Sequence, residues 1–332
     1  GAGADIEEGM VRRGQALARR TVPFHQNRAA AQCRVEHVRL GYEQALVGHL
    51  HQHAPPIAHH LAEIPGNAGF DYRIVDVRYD RQAGIVAGLK GIDVLLNEMN
   101  ADVQWQPVSQ DAANVEAGSR LGALSGSARD LLVVERPLLN FIGRLSGIAS
   151  LTGSYVAQLE GHSTRIYDTR KTTPGWRRLE KYAVRCGGGF NHRMGLFGGI
   201  LVKDNHLAIT GRNKQQLADL VPDMRKALAA EADQDRLPDD LLVEVEVDSL
   251  DQLRQVLPAG ADIVLLDNMS DQELHEAVQL RDQLSPATQL EASGGITLAR
   301  LVPIAECGID RISVGALTHS ASALDIGLDW IQ

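Results

Sequence analysis

From Ser163 to Val314 the chain alternates short apolar runs with amphipathic stretches, and this pattern restricts the fold more than any other feature. Runs at 164–167, 199–202, 242–247, 262–266, 288–292 and 311–314 read as strands. Stretches at 176–186, 213–232, 249–257, 271–284 and 297–306 read as helices. Strand then helix, repeated six times, predicts a parallel sheet, because crossovers of this length return with one hand. The residues after the runs share a character. In chain order they are Asp168-Thr169-Arg170-Lys171, Lys203-Asp204-Asn205-His206, Asp248, Asp267-Asn268, Ser293-Gly294-Gly295 and Gly315-Ala316. Polar, charged and glycine residues at the carboxyl ends of successive parallel strands are how a β/α barrel assembles a site. Capping explains one such residue, and Asp248-Ser249 or Asp267-Asn268 can each cap a helix. Six in phase are hard to explain that way.

Basic charge is gathered in one place. Between Asp168 and His206 stand eight basic side chains: Arg170, Lys171, Arg177, Arg178, Lys181, Arg185, Arg193 and Lys203. Only three acidic ones oppose them, Asp168, Glu180 and Asp204, while the whole chain is at −9, so everything outside this stretch sums to −14. A basic island in an acidic protein is a local field suited to an anionic partner. Arg177, Arg178, Lys181 and Arg185 also fit a solvated helix face with i,i+4 pairs. That explanation fails for Arg170-Lys171, beside Pro174-Gly175, and for Arg193, beside Gly187-Gly188-Gly189, where loops can close on a ligand. The acidic total argues against nucleic-acid partners, which want a broad basic surface.

A length of 332 residues suggests two domains, or one barrel with an extension. Residues 5–62 are helical in composition, with seven histidines between His25 and His60 whose spacing matches no metal-ligand pattern. After Asp71 the pattern turns to period two. Residues 73–79 and 84–88 read as strands joined by a turn at 80–83, followed by a helix at 90–100, a strand at 103–108 and an apolar run at 121–124. A turn at 126–129 and a helix from about Asp130 come next, then one or two buried linker helices across 137–160. The expected architecture is α/β: an N-terminal α/β sandwich over 1–145 and an open, incomplete six-stranded β/α barrel over 146–317. The tail 318–332 is expected to pack on the first domain. No apolar run is long enough for a membrane span, and no secretory signal is read at the start. Three scattered cysteines, Cys33, Cys186 and Cys307, fit a reducing cytoplasm.

The strand-end residues offer three kinds of chemistry. Arg170, Lys171, His192, Arg193 and Lys203 supply positive charge, with arginine suited to carboxylate or phosphate. Glu246 and Asp267 supply carboxylates suited to Mg²⁺ held together with phosphates or ribose hydroxyls. Ser293-Gly294-Gly295 and Gly315-Ala316 each lie between a strand and a helix, where backbone N–H groups can take a phosphate with the helix dipole behind them. The sum suits a doubly charged organic acid, a divalent metal and a sugar phosphate. A sugar-phosphate isomerase or lyase barrel accounts for the glycine loops but not for the Arg/Lys/His set or the Glu246 and Asp267 carboxylates.

With these residues in place, the chain resembles the quinolinate phosphoribosyltransferase family. The resemblance is carried by Glu135-Arg136, Leu139-Asn140, Ser146-Gly147-Ile148-Ala149 and the run from Asp168 to Gly175. Glu180-Lys181-Tyr182-Ala183-Val184, Asn191-His192-Arg193, Lys203-Asp204-Asn205-His206 and Glu246-Val247-Asp248 continue it. Leu266-Asp267-Asn268, Ser293-Gly294-Gly295 and the run from Val314 to His319 complete it. It implies transfer of phosphoribose from phosphoribosyl pyrophosphate to quinolinate with decarboxylation, giving nicotinate mononucleotide, pyrophosphate and CO₂ for NAD synthesis. It implies that Arg170, His192, Arg193 and Lys203 hold the quinolinate carboxylates, with Thr169 beside them, and that Lys171 faces the pyrophosphate. Glu246 and Asp267 would bind ribose and Mg²⁺, and Ser293, Gly294, Gly295, Gly315 and Ala316 the 5′-phosphate. A homodimer or hexamer is implied, with Arg136 reaching the neighbouring site. The family's opening Gly-Asp-x-Thr turn has no counterpart in residues 1–65. A paralogue of the same fold acting on another small acid would differ at the carboxylate-binding positions, all of which are present.

Overall fold

The computed structural model describes residues 72–79, 82–203, 217–232 and 241–331. The histidine-rich stretch 25–60, Asp204-Asn205-His206 and residues 213–216 lie outside the described residues. By its contacts the chain divides into two compact units that do not follow chain order. Among the described residues, one unit takes 72–157, Asp168–Asn191 and 315–331, and the other takes Gln158–Tyr167 and His192–Val314.

The first unit is built on an antiparallel sheet in the order β12-β1-β5-β3. Its strands are β1 (Tyr72–Tyr79), β3 (Val103–Pro107), β5 (Arg120–Ser127) and β12 (Ile326–Trp330). Val75, Val77 and Tyr79 alternate inward from β1 at full burial, the period-two pattern of a half-buried strand. The period-two pattern predicts 73–79 and 84–88 as strands joined by a turn. Instead β1 pairs with β5 and β12, and only β2 (Gly84–Ile85) is strand, paired with β4 (Asn114–Val115). The helix α2 (Ala128–Gln158) is the reason. The Ser150 hydroxyl accepts from the Ile85 N–H at 2.7 Å and the Ser146 hydroxyl from the Ala87 N–H at 3.0 Å, so this segment bonds to the helix.

Helix α1 (Ile92–Glu98) follows, and α2 (Ala128–Gln158) is one continuous helix with Pro137 inside it. The turn expected at 126–129 is absent, because β5 runs to Ser127 and α2 starts at Ala128. Leu138, Ile142, Leu145 and Ile148 line the buried face of α2. Helix α3 (Arg177–Cys186) packs close to it. A Cβ at Gly187 would collide with the Ala149 carbonyl oxygen and lie 2.6 Å from Thr152 Cβ. Gly187 and Gly189 therefore permit close helix packing, and Gly188, at φ +84°, adopts a backbone conformation that favours glycine.

The second unit is a parallel sheet of six strands in the order β6-β11-β10-β9-β8-β7. These are β6 (Arg165–Tyr167), β7 (Ile200–Val202), β8 (Val243–Val247), β9 (Ile263–Asp267), β10 (Gln289–Ser293) and β11 (Arg311–Ser313). Among the described residues no pairing joins β6 to β7, so the sheet is open, as the sequence led us to expect. Helices α4 (Leu217–Ala232), α5 (Leu250–Val256), α6 (Asp271–Leu284) and α7 (Leu301–Glu306) separate the strands in sequence. Helix α6 opens on a reciprocal cap: Ser270 accepts from the Glu273 N–H, and Glu273 accepts from the Ser270 N–H. Val243, Val245, Val264, Leu266 and Ile312 fill the sheet core. Among the described residues, no helix is long and apolar enough to cross a membrane.

Candidate active site

Sheet register sets the side chains of the second unit. Glu246 pairs with Leu265, Leu265 with Glu291, and Glu291 with Arg311, one row across four strands. Two residues further on, where side chains return to the same face, Asp267 pairs with Ser293 and Ser313 with Tyr167. The carboxylates of Glu246 and Asp267 thus point to one face from adjacent strands. Val202 pairs with Val245, which brings Lys203 beside Glu246, and their side chains form an ion pair. Asp267 accepts from the Asn268 amide at 2.9 Å.

Below this end of the sheet lies a buried charged cluster. His192 Nε2 stands 3.0 Å from Glu244 and 3.4 Å from Glu291, and Arg311 Nε bonds Glu291 at 2.6 Å. The Arg311 guanidinium also stacks 3.8 Å from the Tyr167 ring centroid. Burial alone would lower the His192 pKa, but the hydrogen bonds to Glu244 and Glu291 prevail and raise it to about 9. Burial raises Glu244, and Glu291 adds to that rise. Glu291 is held low despite its burial, because His192 and Arg311 both favour its charge. His192, Glu244 and Glu291 have ligand atoms within 4.8 Å of one another, a spacing that can hold a metal. Arg311 already neutralises Glu291, so the cluster is balanced from within. The cation expected to face a substrate carboxylate is thus partly spent on internal acids. Arg193 is also held locally: it donates through NH1 to the Gly199 carbonyl at 3.0 Å, and its N–H donates to His192 Nδ1 at 2.8 Å, a bond that favours the neutral ring and opposes the rise.

The glycine loop after β10 is shaped by its backbone. Gly294 has φ +89° and Gly295 φ +59°, conformations that favour glycine, and a Cβ on Gly294 would collide with the Asn268 side chain. The helices expected behind the two glycine loops are short. The six residues of α7 follow a 3₁₀ turn at Leu298–Arg300, and α8 (Ala316–His319) has four. Backbone N–H groups, rather than a long helix dipole, are what these loops offer an anion.

In the first unit, the loop after Asp168 carries Thr169, Arg170 and Lys171. Arg170 and Lys171 are exposed, and among the described residues their side chains make no hydrogen bond or ion pair. Their backbone is firmly held: the Thr169 hydroxyl accepts from the Lys171 N–H at 3.1 Å. The Lys171 stem lies over Gly315, where a Cβ would stand 3.1 Å from Lys171 Cδ. Beneath the loop, fully buried Lys181 pairs with fully buried Asp168, and the Asn191 amide donates to Asp168 at 2.6 Å and to the Lys181 carbonyl at 2.8 Å. Burial lowers the Lys181 pKa, and Asp168 works against that fall.

The four helix cations that also fitted a solvated face divide. Lys181 is buried, Arg177 donates to the Thr172 hydroxyl at 3.1 Å, and Arg178 and Arg185 are exposed. Arg185 also sits 4.9 Å from the Phe190 ring. The next stretch of the loop, Thr172 to Gly175, lines an open cavity of about 340 Å³ with Arg177 and Arg178 of α3. Arg136, on α2, has a side chain 79% exposed and is paired with Glu135 at 3.1 Å. Burial pushes the Cys186 thiol up to about 12, which leaves it a poor nucleophile.

An open parallel sheet with a paired lysine and carboxylates at its strand ends is the equipment of an enzyme acting on small molecules. The sequence model of the quinolinate phosphoribosyl transferase C-terminal domain matches residues 148–329, and that of the N-terminal domain matches 74–146. The chain belongs to the quinolinate phosphoribosyltransferase family, a family of pentosyltransferases. It is 41% identical over 251 residues to the nicotinate-nucleotide pyrophosphorylase [carboxylating] of Mycobacterium leprae, spanning 75% of this chain and 84% of that one. To the human enzyme of that name it is 37% identical over 256 residues, 75% of this chain and 79% of that one. A solved nicotinate-nucleotide pyrophosphorylase from Francisella tularensis superposes with TM-score 0.73 at 34% identity, covering 87% of this chain and 97% of that one.

Proposed function

We propose that this chain performs the reaction its relatives are named for. It joins the phosphoribosyl group of phosphoribosyl pyrophosphate to the ring nitrogen of quinolinate and releases pyrophosphate and CO₂, leaving nicotinate mononucleotide for NAD synthesis. Family membership across 74–329 carries this assignment. Arg170, Arg193, His192 and Lys203 are assigned to the quinolinate carboxylates, with Thr169 beside them, and Lys171 to the pyrophosphate. Glu246 and Asp267 are assigned to the ribose hydroxyls, and the N–H groups of Ser293, Gly294, Gly295, Gly315 and Ala316 to the 5′-phosphate.

Mg²⁺ is the proposed cofactor, and the donor set fits it: two half-buried carboxylates, hard oxygen ligands, on adjacent strands and one face. When bound there, the ion supplies positive charge to the departing pyrophosphate. The chain's own residues do the rest. Arginines fix the flat dicarboxylate so that its nitrogen meets the ribose C1, where positioning matters more than basicity. Lys171 stabilises the leaving charge. The quaternised nitrogen then draws in the electrons freed by CO₂ loss, and either Lys171 or Lys203 is assigned to return a proton to the ring carbon. Arg136 reaches outward from α2 and is assigned to a neighbouring subunit's site in a homodimer or hexamer. The scattered cysteines support a cytoplasmic setting.

The test mixes the protein with quinolinate, phosphoribosyl pyrophosphate and Mg²⁺ and follows nicotinate mononucleotide and CO₂, alongside Arg193→Ala. Product that requires Mg²⁺ and is lost in the variant supports the assignment. A wild-type protein that binds no quinolinate overturns it.

A further inference from the structure

Arg144 is a charged residue inside an otherwise apolar stretch of α2, and none of the assignments above uses it. Its guanidinium gathers three parts of the first unit. Nε and NH2 donate to Glu180 Oε1 at 3.3 and 2.7 Å, NH1 donates to the Ala321 carbonyl at 2.7 Å, and NH2 also donates to the Thr318 carbonyl. Two of these partners hold the loop that bears Lys171. Fully buried Glu180 accepts from the Thr173 N–H at 3.0 Å and from its hydroxyl at 2.8 Å. The Thr318 hydroxyl donates to the Lys171 carbonyl itself at 2.7 Å. One planar cation thus sits behind both anchors of the loop, and an ammonium lacks the fork to replace it.

We propose that Arg144 is a positioning residue for Lys171, holding the Thr173 and Thr318 anchors together so that the Lys171 ammonium meets the pyrophosphate end of the substrate. This rests on the assignment of Lys171 given above. Arg144 touches no reacting atom and acts only through the loop.

The experiment is a double-mutant cycle on the full chain, read by kcat/KM for phosphoribosyl pyrophosphate and by calorimetric binding of inorganic pyrophosphate with Mg²⁺. The variants are Arg144→Met, Lys171→Met and the pair, with Thr318→Val and its pair with Lys171→Met as a second cycle. Thr318→Val leaves the charged cluster whole and removes the hydroxyl's bond to the Lys171 carbonyl together with its longer one, 3.2 Å, to the Gly315 carbonyl. Arg144→Met is expected to lower kcat/KM on the order of 10²-fold, the scale on which small misplacements act. Once Lys171 is methionine, removing Arg144 should cost little more. Multiplying losses, which a purely structural role gives, overturn the proposal, as does an Arg144→Met variant within about twofold of wild type, well inside that expected scale. Where Arg144→Met does not fold, the Thr318 cycle decides by the same criterion. A wild-type protein that binds pyrophosphate without turning over quinolinate removes the functional assignment alone, and the binding cycle still judges Arg144. A wild-type protein that binds no pyrophosphate overturns both.

Discussion

Each unit buries a cluster of charges, and the two clusters are built on opposite plans. In the first, Asp168, Lys181 and Asn191 come from a loop, a helix and a helix-following turn, and each holds a backbone segment or its neighbour's charge. In the second, Glu244, Glu291 and Arg311 come from strands, and sheet register alone puts them on one face with His192. A tethering cluster fixes the path of a loop. A register cluster fixes an electrostatic environment at a place the sheet has already determined. Damage to the first should therefore appear as lost stability, and damage near the second as lost chemistry or altered pH response.

The largest expected effect is on the tether. Asp168→Asn leaves the Lys181 ammonium fully buried without its counter-ion, and breaking such a pair costs roughly 3 to 5 kcal/mol. Urea unfolding of the variant should show a midpoint far below wild type. A midpoint near wild type would mean that Lys181 is readily neutral when buried and that the tether is not electrostatic.

At the strand ends the same kind of change should behave differently. Glu246 is half-buried and paired with Lys203, so Glu246→Gln is expected to leave the unfolding midpoint nearly unchanged. Turnover should fall by roughly 10² to 10³, the usual scale for deleting one preorganised electrostatic group. Steady-state kinetics beside a urea curve separates the two readouts. A variant that loses stability in step with activity would erase the contrast between the clusters.

This contrast also explains what could be read from the sequence. Strand-end chemistry was legible because alternation is written residue by residue. Glu244 and Glu246 share a face by count, and Asp267 and Ser293 end their strands by count. Depth along the strand was not written there: Glu244 is buried against His192, while Glu246, two residues on, reaches Lys203. The tether was hidden because Asp168 and Lys181 are 13 residues apart, and Arg144 meets Glu180 across 36. No local period predicts such meetings. A basic helix with four cations looks solvated until the packing of α3 against α2 shows which one points inward. β12 was missed although Ile326, Leu328 and Trp330 alternate with Gly327 and Asp329, the period of a half-buried strand.

A pH titration sharpens the comparison from the other side. His192 has its pKa raised from 6.5 to about 9, and the groups facing it are Glu244, Glu291 and, through Glu291, Arg311. A raised histidine stabilises the fold fully below about pH 6.5, and that stabilisation is lost as pH climbs through about 9. The amount at stake is at most on the order of 3 kcal/mol, because the Arg193 N–H, 2.8 Å from Nδ1, favours the neutral ring. Urea midpoints at pH 6 and pH 10 should fall more for wild type than for His192→Gln. Equal slopes would show that the cluster does not hold a charged imidazole.

The smallest effect compares two glycines, one from each unit. Gly187→Ala presses a methyl into the Ala149 carbonyl and Thr152, so α2 and α3 must separate, at a cost of about 1 to 3 kcal/mol. Gly295→Ala meets nothing within 4 Å, and its φ of +59° makes the cost purely conformational, about 1 kcal/mol. The first substitution should lower the unfolding midpoint with kcat/KM preserved, because the loss lies between helices. The second should barely move the midpoint, yet raise KM for phosphoribosyl pyrophosphate, because a methyl then stands beside the N–H groups assigned to the 5′-phosphate. Should Gly295→Ala leave KM unchanged while Gly187→Ala raises it, the glycines would have exchanged roles, and the phosphate would belong elsewhere.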